Sequence, residues 1–369
     1  MADRVMGFPI PAACALRPAP GLRAHGAATL AIVLLCLALV ACGERSNRVT
    51  LRGATMGTTW SVVYRDEGGA SPEALTSLIE AELTAVNEAL STYIADSEIS
   101  RLNDAPGSVE QELSPRFATV LEAALAIGRL TGGAYDVTVA PLVDLWGFGA
   151  EDFSGRVPTE GAIAEARSRV GMERLAWDGV SARLERPPGM RIDLSSIAKG
   201  YAVDRLSQLL VEQGIVNSLV DIGGELRARG QRPEGGPWRL AVESPDPGQA
   251  RFVEALSLTD AAVATSGDYR NYFEVDGRRY SHLIDPRTGF PVDHDLVSVT
   301  VIAERCMFAD GLATALIVLG FEDGMALARR EGIAAHFVTR GPDGLAVDYT
   351  PEFERYRQAA VDEAQSGEG

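Results

Sequence analysis

The chain has 369 residues, 46% of them hydrophobic, with 51 acidic side chains against 34 Lys and Arg and a formal net charge of −17. So acidic a chain has no basic stripe to displace counterions, which excludes a general nucleic-acid binder and leaves any phosphorylated ligand to a lysine, a metal or a helix N-terminus. Four histidines without metal-ligand spacing, and no Cys-x-x-Cys pair, exclude the usual zinc and c-type haem sites.

Arg17 and Arg23 precede an apolar run, Ala27 to Val40, that ends in Leu39-Val40-Ala41-Cys42. The run is too short to span a bilayer comfortably and suits a signal-peptide core. Small residues directly before a cysteine resemble a bacterial lipoprotein signal. Residues 1–41 are therefore expected to be removed, Cys42 to carry lipid, and 42–48 to tether the domain to a membrane, facing the periplasm. An ordinary secretory signal with an incidental cysteine is the alternative. With Cys14 and Cys36 lost, Cys306 is the one remaining thiol, so no internal disulfide is expected.

Val49 to Tyr64 reads as a strand interrupted at Met56-Gly57-Thr58. Ser71-Pro72 is a cap followed by proline at the first helical position, opening a helix with Leu75, Leu78, Ile79, Leu83, Val86 and Leu90 on one face. STYIADSEISRLN (91–103) is polar and irregular. Ser114-Pro115 opens a second helix, stopped at Gly132-Gly133, and GGAYDVTVAPLVDLWGFG (132–149) has no clear period. A third helix runs from Pro158-Thr159 to about Val170, and Asp178-Gly179 turns a hairpin. Met190 to Leu194 reads as a strand leading into a helix that ends near Gly214. Strands follow at Val216–Ile222, Trp238–Glu243, Phe252–Leu258 and Ala261–Ala264, then at Asn271–Val275 and Arg278–Ile284 around Asp276-Gly277. A β-branched strand, Leu296–Ile302, precedes a helix from about Phe308 to Leu319. A last helix near Asp323–Arg330 and a strand, Ile333–Thr339, complete a domain expected over 49–345. Residues 346–369 are expected to be a polar tail, frayed after Glu352. Hairpins and an excess of strands predict an α+β fold, largely antiparallel sheets with packed helices.

Neither common nucleotide-binding glycine motif is present. In IDLSSIAKGYAVD (192–204), Asp193 sits where the free N–H groups of a helix begin, and Lys199 is one turn in, placed for an anion. An N-cap followed by a solvated lysine is the competing reading. Asp310 and Thr314, four apart, share a face of an otherwise apolar helix. A carboxylate there needs a partner, and oxygens at that spacing suit a hard cation. Alternatively Asp310 favours the helix dipole and Thr314 bonds back to the Asp310 carbonyl. His282 has Asp285, Asp293 and Asp295 nearby in sequence, which would raise its basicity if they are close in space.

Taken in order, these segments resemble the ApbE family, the bacterial FAD:protein FMN transferases. The match runs through MGTTWSV (56–62), STYIADSEISRLN, GGAYDVTVAPLVDLWGFG, IDLSSIAKGYAVD, LVDIGGELRARG (219–230), ATSGDYRNYF (264–273), YSHLIDPRTGFPV (280–292) and ADGLATAL (309–316), over roughly residues 50 to 340. The resemblance implies a T-fold-like arrangement. It also implies transfer of FMN from FAD to a threonine hydroxyl of a target flavoprotein through a phosphoester bond, with release of AMP and dependence on magnesium. Matched by motif, Met56, Tyr93, Ala134, Tyr135, Asp136, Asp193, Lys199 and Ile284 stand at FAD-contacting positions. Ser196, through its backbone carbonyl, stands with Asp310 and Thr314 at the metal positions. His282 matches the histidine proposed near the reacting centre, with Asp285 the next candidate. Ser195-Ser196 departs from the Gly or Ala of many relatives. The implied acceptors are flavoprotein subunits of respiratory complexes of the Nqr or Rnf kind. The competing classes are an FAD-binding lipoprotein without catalysis and a pyrophosphatase hydrolysing FAD to FMN and AMP.

Overall fold

The computed structural model describes residues 47–107, 109–149, 156–245, 252–269 and 271–358. The expected signal peptide, Cys42 and most of the tether lie outside them. The framework is an antiparallel sheet whose eight strands lie side by side in chain order. They are β1 (Arg48–Thr55), β2 (Thr58–Arg65), β3 (Ser218–Ile222), β4 (Glu225–Arg229), β5 (Ala261–Gly267), β6 (Leu296–Ala303), β7 (Ala334–Gly341) and β8 (Gly344–Tyr349). A strand-strand-helices-strand-strand pattern occurs twice. Between β2 and β3 run α1 (Pro72–Leu90), α2 (Pro115–Leu130) and α3 (Ser195–Glu212); between β6 and β7 run α4 (Cys306–Leu319) and α5 (Phe321–Glu331). The two halves join where β4 pairs with β5, Ala262 opposite Arg227. The expected antiparallel α+β architecture is what forms.

Local chemistry explains the helices. The Ser71 hydroxyl accepts the Ala74 N–H at 3.3 Å and Pro72 presets the first turn, so α1 starts where the cap and proline predict. It buries Leu75, Ile79, Leu83, Val86 and Leu90, whereas Leu78 is 39% exposed, at the edge of the stripe. Ser114 caps α2 in the same way. Strand alternation divides the core. On β2, Val62 faces the helices, while Val63 faces a second layer built from the Trp238–Glu243/Phe252–Leu258 hairpin and Phe353.

Four expectations change. The 49–64 stretch is a hairpin, because Met56 (φ 49°) and Gly57 (φ 70°) both take the left-handed conformation that reverses a chain in two residues. The 91–103 segment is not wholly irregular, since Ser97 caps a short helix, Glu98–Asp104. Met190–Leu194 is no strand. Its Ile192 N–H is taken by the Asn103 side chain at 2.7 Å and its Asp193 N–H by the Val137 carbonyl at 2.7 Å, leaving a single bridge between Val139 and Arg191. The fold also continues past 345. β8 closes the sheet edge, Phe353 is fully buried, and Ser257 and Gln358 donate to the Tyr356 and Ala255 carbonyls respectively, tying the segment to the hairpin.

Candidate active site

α3 and α4 lie against each other on the sheet, closely enough that a Cβ on Gly200 would stand 2.5 Å from the Cys306 carbonyl oxygen. A cleft of about 320 Å³ opens beside this contact, walled by residues 134–136, 195–196, 265–267 and 282–284 with Asp193, Lys199, Asp310 and Thr314. Of the sequence-selected residues, Tyr93, Ala134, Tyr135, Asp136, Asp193, Ser196, Lys199, His282, Ile284, Asp310 and Thr314 all border it.

Three charges form its floor. The Lys199 ammonium is 3.3 Å from Glu225 Oε1 and 3.9 Å from Asp310 Oδ1, and the Gly200 N–H donates to Asp310 Oδ2 at 2.9 Å. Asp310 is 3% and Glu225 4% exposed, so two carboxylates share one ammonium away from water. Burial raises both: Asp310 goes above the usual carboxylate range and Glu225 is pushed up to about 8, each against the pull of Lys199. Burial opposes the charge of Lys199, yet the two carboxylates hold its pKa above the ordinary lysine value. Glu225 Oε2 is buried with no hydrogen-bond partner among the described residues. With Glu225 raised to about 8 the pair keeps a proton near neutral pH beside the single ammonium, and a divalent cation would take the place of that proton and let both carboxylates ionise.

The donors fit such an ion. Thr314 does not bond back along its helix; its hydroxyl lies 3.0 Å from Ser266 Oγ, on the cleft wall. The Ser196 hydroxyl donates to Tyr135 Oη at 2.9 Å, which leaves the backbone carbonyl as the residue's other oxygen. In an α-helix the Gly200 N–H is also the donor for the Ser196 carbonyl, so Asp310 competes with that carbonyl for it. No cluster of three His, Cys, Asp or Glu able to hold a metal occurs among the described residues, so a cation here depends on Asp310 plus neutral oxygens.

His282 stands across the cleft. Its Nδ1 is 3.0 Å from the Asn271 carbonyl oxygen, which only accepts, so Nδ1 carries the proton and Nε2 of the neutral ring keeps a free lone pair. Burial lowers its pKa from the ordinary 6.5. The expected boost from nearby carboxylates fails, because those side chains are engaged elsewhere: Asp293 pairs with Arg278 at 2.7 Å and Asp285 with Arg287 at 2.9 Å. That pairing also removes Asp285 as the alternative base, since its two oxygens are held by the Arg287 guanidinium and N–H and it does not border the cleft.

Two other assignments shift. Met56 occupies the β1–β2 turn and packs against the main core without lining the cleft. That turn does approach the cleft wall: the Gly223 N–H donates to the Thr59 carbonyl, and a Cβ on Gly223 would lie 2.8 Å from Thr58 Cγ2. The Asp136 carboxylate, though at the cleft, accepts from Thr138 N–H and Oγ1 and from Met172 N–H, so it holds its own loop. Asp193 both borders the cleft and accepts the Ser195 N–H at 2.7 Å. Tyr93 lies at the mouth, 71% exposed. An aromatic wall ties the Tyr272–Ser281 hairpin to the segment after Ala140–Leu145, with Trp146 stacked on Tyr280 at 5.6 Å and Phe148 on Phe273 at 5.3 Å. Glu225 and Asn271 escaped the sequence reading. A signal for Glu225 existed in Gly223-Gly224, a positive-φ pair that turns β3 into β4 and sets the next side chain at the cleft.

Comparison with known proteins bears on this geometry. The family model described as "ApbE family" matches residues 56–337. The FAD:protein FMN transferase of Vibrio cholerae is 45% identical over 310 residues, 84% of this chain and 92% of that protein. That of Haemophilus influenzae is 41% identical over 330 residues, 88% and 95% of the two chains. Among solved structures, the flavin transferase ApbE from Vibrio cholerae superposes with a TM-score of 0.79 at 43% identity, covering 84% of this chain and 99% of that one. The apo flavinyl transferase ApbE of Pseudomonas stutzeri gives 0.78 at 41%, covering 85% and 98%.

Proposed function

The chain belongs to the ApbE family, and from that premise we propose that it transfers FMN from FAD to a threonine hydroxyl of a flavoprotein, releasing AMP, with magnesium. The observation that carries the reading is the buried carboxyl pair, Asp310 and Glu225, around Lys199, facing a histidine with a free ring nitrogen across one cleft. FAD is the substrate, and its pyrophosphate belongs beside the Lys199 ammonium of that floor. Asp310, Thr314 and the Ser196 carbonyl would hold the magnesium ion, which supplies neutralisation of pyrophosphate charge when bound.

The residues then divide the work. Lys199, held charged by its two carboxylates, offsets charge on the phosphates as the threonine oxygen approaches. His282 Nε2 takes the threonine proton while the new O–P bond forms to the riboflavin-side phosphorus and the bond to the AMP phosphate breaks in line. The neutral state that burial favours is the one able to accept that proton. The Trp146–Tyr280 and Phe148–Phe273 stacks support the His282 side of the cleft, where water in place of the threonine would give FMN and AMP. The reading extends to a lipid anchor at Cys42 facing the periplasm, a folded domain beginning near residue 49, and acceptors among respiratory flavoprotein subunits of the Nqr or Rnf kind.

The test incubates purified protein with FAD, Mg²⁺ and a candidate acceptor, followed by fluorescence of the denatured gel. A flavin-labelled acceptor band that disappears when the acceptor threonine becomes alanine is expected. FAD consumption without any labelled band, across acceptors, would replace transfer by hydrolysis.

A further inference from the structure

We propose that Asp204 is a positioning residue for this reaction, holding α4 in register on α3 so that Asp310 meets its cation; the inference rests on the reading of Asp310 as a cation ligand. α4 begins at Cys306 behind Arg305, whose side chain has no oxygen to accept the first free N–H groups of the helix. Asp204, on α3, supplies the acceptors instead. Its Oδ1 takes the Cys306 N–H at 3.0 Å and its Oδ2 the Met307 N–H at 3.1 Å. The next two N–H groups, of Phe308 and Ala309, close on the Arg305 carbonyl, both at 3.2 Å. The first turn of α4 is therefore complete only with a carboxylate that arrives from another helix.

Asp204 is itself held. It is 6% exposed, paired with Arg227 of β4 and 3.8 Å from the Arg305 guanidinium, and its charge faces the positive end of the α4 dipole. Geometry converts this cap into a register lock. Gly200 and Asp204 are one turn apart on α3, and Cys306 and Asp310 one turn apart on α4. Gly200 meets Asp310 while Asp204 meets Cys306, so the helices run antiparallel at this contact and are tied at two points. Released at the Cys306 end, α4 keeps only the Gly200 tie, and Asp310 is free to drift from Lys199 and from the Ser196 carbonyl.

Full-length Asp204→Asn and Asp204→Ala test this with three readouts: amide exchange at Cys306 and Met307 without metal, the melting temperature, and Mg²⁺ affinity by calorimetry with ADP as a pyrophosphate that cannot transfer flavin. Faster exchange at both amides is expected. Mg²⁺ binding should weaken roughly tenfold to a hundredfold in Asp204→Ala, as for other residues that orient metal ligands, and less in Asp204→Asn, which keeps one acceptor oxygen. A control, Phe353→Leu, lies across the sheet and destabilises without touching α4. Where Asp204→Ala does not fold, Asp204→Asn carries the test. Unchanged exchange, or an affinity loss no greater than in the control at matched melting temperature, overturns the proposal. Asp310→Ala separates the premise: wild-type Mg²⁺ affinity there sinks the cation reading itself, whereas loss there with none in the Asp204 variants sinks only the role of Asp204.

Discussion

Gly200→Ala asks whether the α3–α4 contact is set as tightly as the site requires. In a helix interior alanine is better than glycine by about 1 kcal/mol, so an unobstructed substitution would stabilise the protein. Here the new methyl would lie 2.5 Å from the Cys306 carbonyl oxygen, 2.7 Å from its carbon and 2.8 Å from Asp310 Cβ, against 3.4 Å or more for an ordinary contact. Two of these atoms are backbone and the third belongs to the candidate cation ligand, so no flexible side-chain end can swing away. Relief demands that the helices part by up to about 0.9 Å, and overpacking of that kind costs roughly 1–3 kcal/mol. The net expectation is a loss of about 0–2 kcal/mol once the helical gain is subtracted. Activity should suffer more, because a displacement near 1 Å at a reacting centre costs about a hundredfold in rate. Urea unfolding gives the stability and flavin transfer to an acceptor gives the rate. A variant that is more stable than wild type and transfers flavin at the wild-type rate would refute the packing argument.

Asp310→Ala and Asp310→Asn should both abolish transfer and FAD hydrolysis, and Thr314→Val should cost less because water can replace a neutral ligand; unchanged Mg²⁺ affinity in Asp310→Ala contradicts the assignment. His282→Ala should keep FAD binding and slow transfer roughly a hundredfold. Because burial lowers the His282 pKa, the wild-type rate should hold as pH falls to 6.5 and decline only below it; a decline beginning above 6.5 rules against His282 as the base. His336, fully buried with neither ring nitrogen partnered among the described residues, is lowered to about 4 by burial and then by Arg357. The unfolded chain takes that proton near pH 6.5 and the folded one resists it to about 4, so stability falls as pH drops through this window, by about 3 kcal/mol in all. His336→Leu should flatten that slope in urea midpoints measured from pH 7 to 4, and an unaltered slope would place the acid sensitivity elsewhere.

Much of this protein is written locally. Ser71, Ser114 and Thr159 cap helices where their hydroxyls and the following residues predict, because a cap is a contact between neighbours in sequence. The shared face of Asp310 and Thr314 follows from helical spacing alone, and Lys199 one turn into α3 follows from where the chain leaves the extended segment. Tertiary structure decided which lone pairs and charges remain available. The sequence offers His282 as the base with Asp285 as the next candidate, and it is the fold that has Arg287 occupy Asp285 and a backbone carbonyl orient His282. Glu225 comes beside Lys199 only because β4 lies against α3, and Asp204 caps α4 only because two helices cross at a glycine. Hydrogen-bond and charge partners far apart in sequence leave no periodicity, since nothing in a local pattern records what the rest of the chain brings within 3 Å.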